Sequence, residues 1–415
     1  MQRTASTLAA GLLVFGWTAR AGDWTEFRGP SHQGHSDARH VPLKWSATEN
    51  VQWRTRIPGK GWSSPVTRGN RIFLTTAVTD GSQVSLRVLA LDAASGKIAW
   101  ETPALDAPAV RHHDKNSHAS ATPVIEDDRL YTHFGHYGTV CLDLDGKVLW
   151  RQTGLAYSPV HGNGGSPAIA DDALIFNCDG ASDPFIAALD KRTGKVLWKV
   201  PRQTTAKRTF SFSTPLVIEV SGRKQVITPG SGVVSALDPK NGREIWRVRY
   251  GEGYSVVPRP VFGHGLVFLS SGYERAIIHA IRPDGQGDVT DTHVAWTQER
   301  GAPKSPSMLL VGDELYAVAD NGVAICVDAR TGRIHWQERV GGNYSASPVF
   351  AGGRIYMQNE TGTGFVLAPG KEFRVLAENP LGERTLASYA VLEGALLIRT
   401  EQHLYRIGSG PPPTR

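Results

Sequence analysis

The sequence predicts an all-β protein, an eight-bladed β-propeller of four-stranded antiparallel blades. Three observations carry this reading. Seven tryptophans, Trp53, Trp100, Trp150, Trp198, Trp246, Trp296 and Trp336, recur at intervals of 47, 50, 48, 48, 50 and 40 residues. A period of roughly 40–50 residues built from short strands marks propeller blades. Most of these tryptophans close one phrase: a small or apolar pair, Leu-Asp, a polar turn, glycine, a cation, two residues and Trp. Ala90-Leu91-Asp92 leading to Gly96-Lys97 and Trp100 is one copy, and Ala188-Leu189-Asp190 leading to Gly194-Lys195 and Trp198 another. Finally, seven units open on a residue-proline step followed by apolar residues.

Residues 1–21 read as a secretory leader. Arg3 supplies its positive start, residues 8–17 an apolar run too short to span a bilayer, and Ala19-Arg20-Ala21 a small-x-small cleavage site. The mature chain is expected to start at Gly22, in the periplasm or outside the cell. No cysteine follows the site, so no lipid anchor is expected. Residues 22–50 contain Trp24, Phe27, Arg28-Gly29-Pro30 and Trp45, which predict an ordered arm packed on one face of the ring.

The propeller is expected over residues 51–408. Its first strands open at Ser64-Pro65, Thr122-Pro123, Ser166-Pro167, Thr214-Pro215, Arg259-Pro260, Ser305-Pro306 and Ser347-Pro348. Proline suits a strand's first residue, where no ladder N–H is required. Second strands are β-branched and aromatic, as in Ile72-Phe73-Leu74, and third strands end at the Leu-Asp phrase. Asp-x-x-Thr/Ser/Asn-Gly-Lys/Arg then makes a tight hairpin: the aspartate accepts local N–H groups and glycine supplies a positive φ. The outer strand carries the tryptophan. Its ring suits the gap between blades, where the indole N–H can reach a carbonyl of the next blade.

The seventh unit's outer strand is expected at residues 373–376, without tryptophan. The eighth unit, residues 388–407, supplies three strands. Residues 51–57 have the outer-strand pattern with no strands before them, so this N-terminal strand is expected to pair with the C-terminal blade and close the ring, which removes the free edges. The proline-rich tail, residues 409–415, is expected to be flexible.

Bulk composition narrows the function classes. The formal charge is +6, or +4 once Arg3 and Arg20 are removed with the leader, and no basic run is interleaved with aromatics. Nucleic acid is therefore not an expected partner. The cysteines are Cys141, Cys178 and Cys326. An odd count argues against a disulfide framework, with one Cys141–Cys178 bridge between neighbouring repeats left open.

The repeat resembles the tryptophan-docking motif of the pyrroloquinoline-quinone (PQQ) propellers. That superfamily holds quinoprotein alcohol and glucose dehydrogenases, which bind PQQ and Ca²⁺ on the axis, and non-catalytic scaffolds such as the outer-membrane assembly lipoprotein BamB. Trp24-x-x-Phe27-Arg28-Gly29-Pro30, Asn50-Val51-x-Trp53 and Gly61-x-Ser63-Ser64-Pro65 also look like the bacterial PQQ-binding-like β-propeller repeat proteins. The resemblance covers residues 51–408 and implies fold more firmly than activity. The chain departs from the dehydrogenases: no two cysteines are adjacent, and their Ca²⁺ ligand motifs find no match. No PQQ-binding or catalytic residue is carried over, and no cofactor is expected. The expected role is an exported, non-catalytic binding or scaffold module of the bacterial cell envelope, monomeric and without a transmembrane span. It would engage a protein or a polar small molecule. The alternative is a PQQ-dependent oxidoreductase with a diverged cofactor site.

Function in propellers belongs to the loops that lead into the innermost strands and those joining second to third strands, which share one face. There the sequence places Trp62, His118, His136, His161, Asn163, Phe212, Tyr254, Lys304 and Tyr344 as candidate ligand- or partner-binding residues. The same residue types also make the ordinary polar rim of an axial channel. Six of fourteen histidines fall between positions 112 and 161. His112, His113, His133 and His136 are weak metal candidates, since no tight ligand spacing joins them, and no metal is expected. Asp179 and Asp183 read as turn residues. No Gly-x-Ser-x-Gly, phosphate-loop or His-Glu-x-x-His motif is present, so no catalytic residue is assigned.

Overall fold

The computed structural model describes residues 22–408; the expected leader and tail lie outside the described residues. The chain forms eight sheets, each built on a four-stranded antiparallel blade, and in blades 1 to 7 the innermost strand comes first in sequence. The innermost strands of blades 1 to 7 begin at Val66, Val124, Ala168, Leu216, Val261, Leu309 and Val349. Blade 8 is composite. Its inner strands are Ala390–Leu392, Ala395–Arg399 and His403–Ile407, and its outer strand is Val51–Arg56. Val51–Arg56 runs antiparallel to His403–Ile407, with Trp53 opposite Arg406 and Arg56 opposite His403.

Blades are joined by the tryptophans. The indole N–H of Trp53 donates to the Ala93 carbonyl of blade 1 at 3.1 Å, that of Trp100 to Leu144 at 3.2 Å and that of Trp150 to Lys191 at 3.1 Å. Trp198, Trp296 and Trp336 reach Pro239, Ala329 and Gly370 in the same way, at 2.9, 3.0 and 3.1 Å. The hairpin glycine of the next blade lies on the indoles of Trp53, Trp100, Trp150, Trp198 and Trp296, though Gly370 does not pack on Trp336: a Cβ added to Gly194 would sit 2.5 Å from Trp150 Cε3. That glycine therefore meets two demands, a positive φ of 72° and contact with a flat ring.

Trp246 differs. In blade 5 an insertion replaces the tight hairpin, carrying the short strand Gly287–Asp288 and the four-residue helix Thr290–His293. The inserted strand pairs in parallel with the outer strand of blade 4, giving that sheet a fifth strand. The Trp246 indole donates instead to the Gln225 side-chain oxygen at 2.8 Å, and the Gln225 amide donates to the Pro283 carbonyl at 3.1 Å. Gln225 thus carries the bond across a gap that the indole alone does not span.

Two strand positions differ from the sequence expectation. The outer strand of blade 7 is Val375–Pro380, not residues 373–376. Phe373 precedes it because its ring packs on Trp336, with centroids 5.1 Å apart. In blade 6 the residue equivalent to Ser64 is Ser307 rather than Ser305, as its hydrogen bonds below show. All three cysteines are buried and free.

Glycine docking predicts unequal costs for two alanine substitutions. Gly69 also has positive φ (57°), but open space surrounds it. Gly69→Ala should cost about 1–2 kcal/mol, the left-handed backbone penalty alone. Gly194→Ala should cost about 1–3 kcal/mol more, through overpacking against Trp150. Urea denaturation of both variants measures the difference.

Candidate ligand-binding cavity

The topology places the loops into innermost strands and the second-to-third-strand loops on one face of the ring, and the tight turns on the other. The N-terminal arm lies across the turn face. Trp24 N–H donates to Thr67 Oγ1 at 2.8 Å, and the Thr25 carbonyl accepts from Ile125 N–H at 2.8 Å. Further along, His35 Nε2 meets the Leu310 carbonyl at 2.7 Å, and Trp45 N–H donates to Asn379 Oδ1 at 2.9 Å. The arm so touches blades 1, 2, 6 and 7 before it enters blade 8 as the closing strand.

Its anchor is the buried Arg259, which donates to the Glu26 carboxylate at 2.6 Å and the Phe27 carbonyl at 2.7 Å. His32 also contacts Glu26, at 2.6 Å. Burial raises the Glu26 carboxyl, but Arg259 and His32 outweigh it and hold the group below the ordinary range.

Above the arm is an axial cavity of about 410 Å³. Phe27 of the arm lies among its lining residues, so the cavity is closed at the turn face. Hydroxyls line it (Ser64, Thr122, Ser166, Thr214, Ser347 and Ser388), as do the rings of Trp62, Phe212, Tyr254, Tyr273, His113 and His161. Lys115 is the one cation among the lining residues, and none of them is a carboxylate. Lys115 pairs with Glu360 at 2.7 Å, and Ser345 donates to the same carboxylate oxygen at 2.7 Å. Arg384 donates to the Asp114 carbonyl at 3.2 Å, its guanidinium 5.4 Å from the Trp62 ring. The connection between blades 1 and 2 is thereby tied to blade 7 and to the approach to blade 8 across the mouth.

Of the residues expected at this mouth, Trp62, His161, Phe212 and Tyr254 line the cavity. His118, His136 and Asn163 stand behind the wall. His118 meets the Tyr137 hydroxyl at 3.1 Å and packs its ring edge-on to His112, 4.7 Å between centroids. His136 lies on Tyr137 at 3.8 Å, and Asn163 Oδ1 accepts from the Tyr157 hydroxyl at 3.1 Å. Lys304 flanks the mouth with its ammonium 4.9 Å from the Tyr273 ring centroid. Tyr344 is a correction: it is fully buried in the apolar core shared by blades 6 and 7. Its main chain is in the loop, with N–H donating to the Asp320 carbonyl, but the ring gains more by burial between blades than at the mouth.

The weak metal candidates do not converge. His113 packs against His161, while His133 stacks on Phe176 at 4.2 Å and meets Thr139 Oγ1 at 2.9 Å. Among the described residues no group of three or more His, Cys, Asp or Glu is placed to hold a metal ion. Asp183 is a turn residue with φ of 48°. Asp179 is not: it forms a fully buried ion pair with Arg202 at 2.8 Å. Arg202 also donates to Asn177 and the Thr228 carbonyl, which joins blades 3 and 4.

Sequence reading missed a belt of hydroxyls. Ser64 N–H donates to Thr122 Oγ1, Thr122 N–H to Ser166 Oγ and Ser166 N–H to Thr214 Oγ1, at 2.9, 2.9 and 3.0 Å. On the other side of the ring, Arg259 N–H donates to Ser307 Oγ, Ser307 N–H to Ser347 Oγ and Ser347 N–H to Ser388 Oγ, at 2.9, 2.9 and 2.8 Å. The signal was in view, since Ser or Thr precedes most strand-opening prolines.

Burial lowers His118 and His136 to about 4 and His133 to about 3. The unfolded chain binds these protons near pH 6.5 and the folded chain does not. Their stabilisation is complete above pH 6.5 and is lost as pH falls towards 4, where the unfolded state binds more protons. Urea midpoints should decline over that window, and less steeply in His133→Gln; equal slopes would contradict the assignment.

BamB of Yersinia pestis is 21% identical over 350 residues, covering 82% of this chain and 76% of that protein. Methanol dehydrogenase subunit 1 of Methylobacterium organophilum is 27% identical over 156 residues, 32% of this chain and 23% of the dehydrogenase. The chain spans about a quarter of the length of the first dehydrogenase relatives it matches. A europium-containing methanol dehydrogenase shares the fold, with a TM-score of 0.67 at 12% identity, covering 91% of this chain and 90% of that one. The family profile described as "Outer membrane protein assembly factor BamB" matches residues 43–153, 84–309 and 286–372, and the chain therefore belongs to that family of PQQ-like repeat propellers.

Proposed function

We propose that the protein is an exported, monomeric, non-catalytic binding module of the bacterial cell envelope, which receives a protein segment or a polar small molecule at its axial cavity. The observation that carries this reading is the cavity itself. It is open at the loop face, closed by the arm at the other, and walled by hydroxyls and aromatic rings that position a ligand but present no nucleophile–base pair. The relatives named for outer-membrane assembly support a protein partner and an envelope location. No helix among the described residues is long and apolar enough to cross a membrane.

The dehydrogenase relatives favour a second reading, a PQQ-dependent oxidoreductase. The cavity does not fit Ca²⁺ with PQQ: its lining offers no carboxylate to the cation, and its lysine is already paired with Glu360. No redox step is assigned to these residues.

Titration with PQQ and CaCl₂, followed by absorbance and by dye-linked oxidation of alcohols and sugars, separates the two. The expected result is no turnover, whether or not PQQ is held through its carboxylates, together with a partner recovered from envelope extracts on the immobilised protein. Turnover of any alcohol or sugar would overturn the non-catalytic reading.

A further inference from the structure

We propose that the axial cavity is an oxyanion site, which takes the carboxylate, sulfate or phosphate group of a small molecule through a ring of hydroxyl donors. This deepens the binding reading above and rests on it.

Thr122, Ser166, Thr214, Ser347 and Ser388 line the cavity from equivalent positions of five blades. Each accepts a backbone N–H from the blade before it. A hydroxyl has one proton to give, and among the described residues none of these five O–H groups has an acceptor. What each offers the cavity is therefore a free proton, strengthened because its oxygen is already polarised by an N–H, with one lone pair left over. An occupant that presents acceptors to several of these protons at once is therefore favoured.

Charge points the same way. The hydroxyl belt has two gaps, and a buried arginine stands at each. Arg259 takes the place of the serine in blade 5. Arg399 sits where blade 8 meets blade 1 and donates to the Ser63 carbonyl at 3.1 Å and to Ser63 Oγ at 2.5 Å. Arg259 is balanced by Glu26. Arg399 has no carboxylate partner among the described residues, and neither has Arg28, the buried neighbour of the lining residue Phe27. Burial lowers Arg28 and Arg399 only to about 9, so both remain cationic at neutral pH. Neither arginine lines the cavity, but one adjoins the lining residue Phe27 in sequence and the other bonds Ser63 beside the lining residue Ser64. Two buried cations without carboxylate partners, next to a lining that has no carboxylate, favour an anion. A neutral sugar could use the hydroxyls but would leave these cations without a counter-ion, so charge is what separates the two classes of ligand. The cavity is larger than an inorganic oxyanion, so the aromatic rings would hold the remainder of an organic molecule.

The test is isothermal titration of the full chain with sodium sulfate, sodium phosphate and sodium acetate at matched ionic strength, with sodium chloride and glucose as comparators. Saturable heat is expected from at least one oxyanion, and none from chloride or glucose. Thr122→Val combined with Thr214→Val should weaken binding at least about tenfold, or 1.4 kcal/mol. Ser307→Ala is the control. Ser307 is a belt hydroxyl that accepts Arg259 N–H but does not line the cavity, so its loss should lower stability and leave affinity unchanged. General stabilisation by sulfate is non-saturating and would survive in the double variant. No saturation by any oxyanion, saturation by glucose, or equal loss in Ser307→Ala would overturn the proposal. The wild-type titration decides alone if the double variant fails to fold. A partner recovered from envelope extracts without oxyanion binding would remove this site while leaving the binding module standing.

Discussion

A four-stranded sheet has two faces to bury and no helix to cover them, so every blade here depends on the contact with its neighbours. The indole of one outer strand, donating to the hairpin carbonyl of the next blade and lying beneath its glycine, is the unit of that contact. Where the hairpin is lost, the contact is rebuilt rather than abandoned: Gln225 relays the Trp246 hydrogen bond to Pro283. The buried Asp179–Arg202 pair adds a polar joint between blades 3 and 4. Removing one partner would leave an uncompensated buried charge, whereas well-packed apolar residues could replace the whole pair at little cost, so its distinctive contribution is geometry.

Ring closure links this packing to the site. The strand Val51–Arg56 completes blade 8, and the arm that precedes it crosses the turn face. Once the strand is paired, Glu26 and Phe27 meet Arg259, and Phe27 joins the cavity lining. A channel that the topology would leave open at both ends becomes blind. The hydroxyl belt and the aromatic wall then line one volume open only at the loop face, which is why the cavity, rather than the histidine-rich loops, is the candidate site.

Elements set by local chemistry were legible in the sequence. The tryptophan period, the Leu-Asp phrase and the orphan strand before blade 1 follow from turn chemistry and periodicity within short windows. Elements set by tertiary direction were not. Tyr344 lies in a loop whose residues face both the mouth and the inter-blade core, and sequence does not say which way its ring turns. Ser305 and Ser307 both flank Pro306, and only the bonds to Arg259 and Ser347 identify the belt residue. Lys115 and Glu360 stand 245 residues apart, beyond any pattern of spacing. His118 and His136 lie on the expected blades but one layer too deep, because Tyr137 draws both rings away from the opening.

The measurement that bears most directly on this account is native-state hydrogen exchange of the closing strand. If pairing with His403–Ile407 holds both the ring and the arm, the Val51–Arg56 amides that take part in it will exchange only through the same large opening as the inner strands of blade 8, with matching free energies across a urea series. The arm amides Trp24 and Trp45, bonded to Thr67 and Asn379, will be protected with them. Exchange of Val51–Arg56 through a low-energy local opening, while the inner strands of blade 8 stay protected, would contradict the claim that this strand closes the ring and seals the cavity.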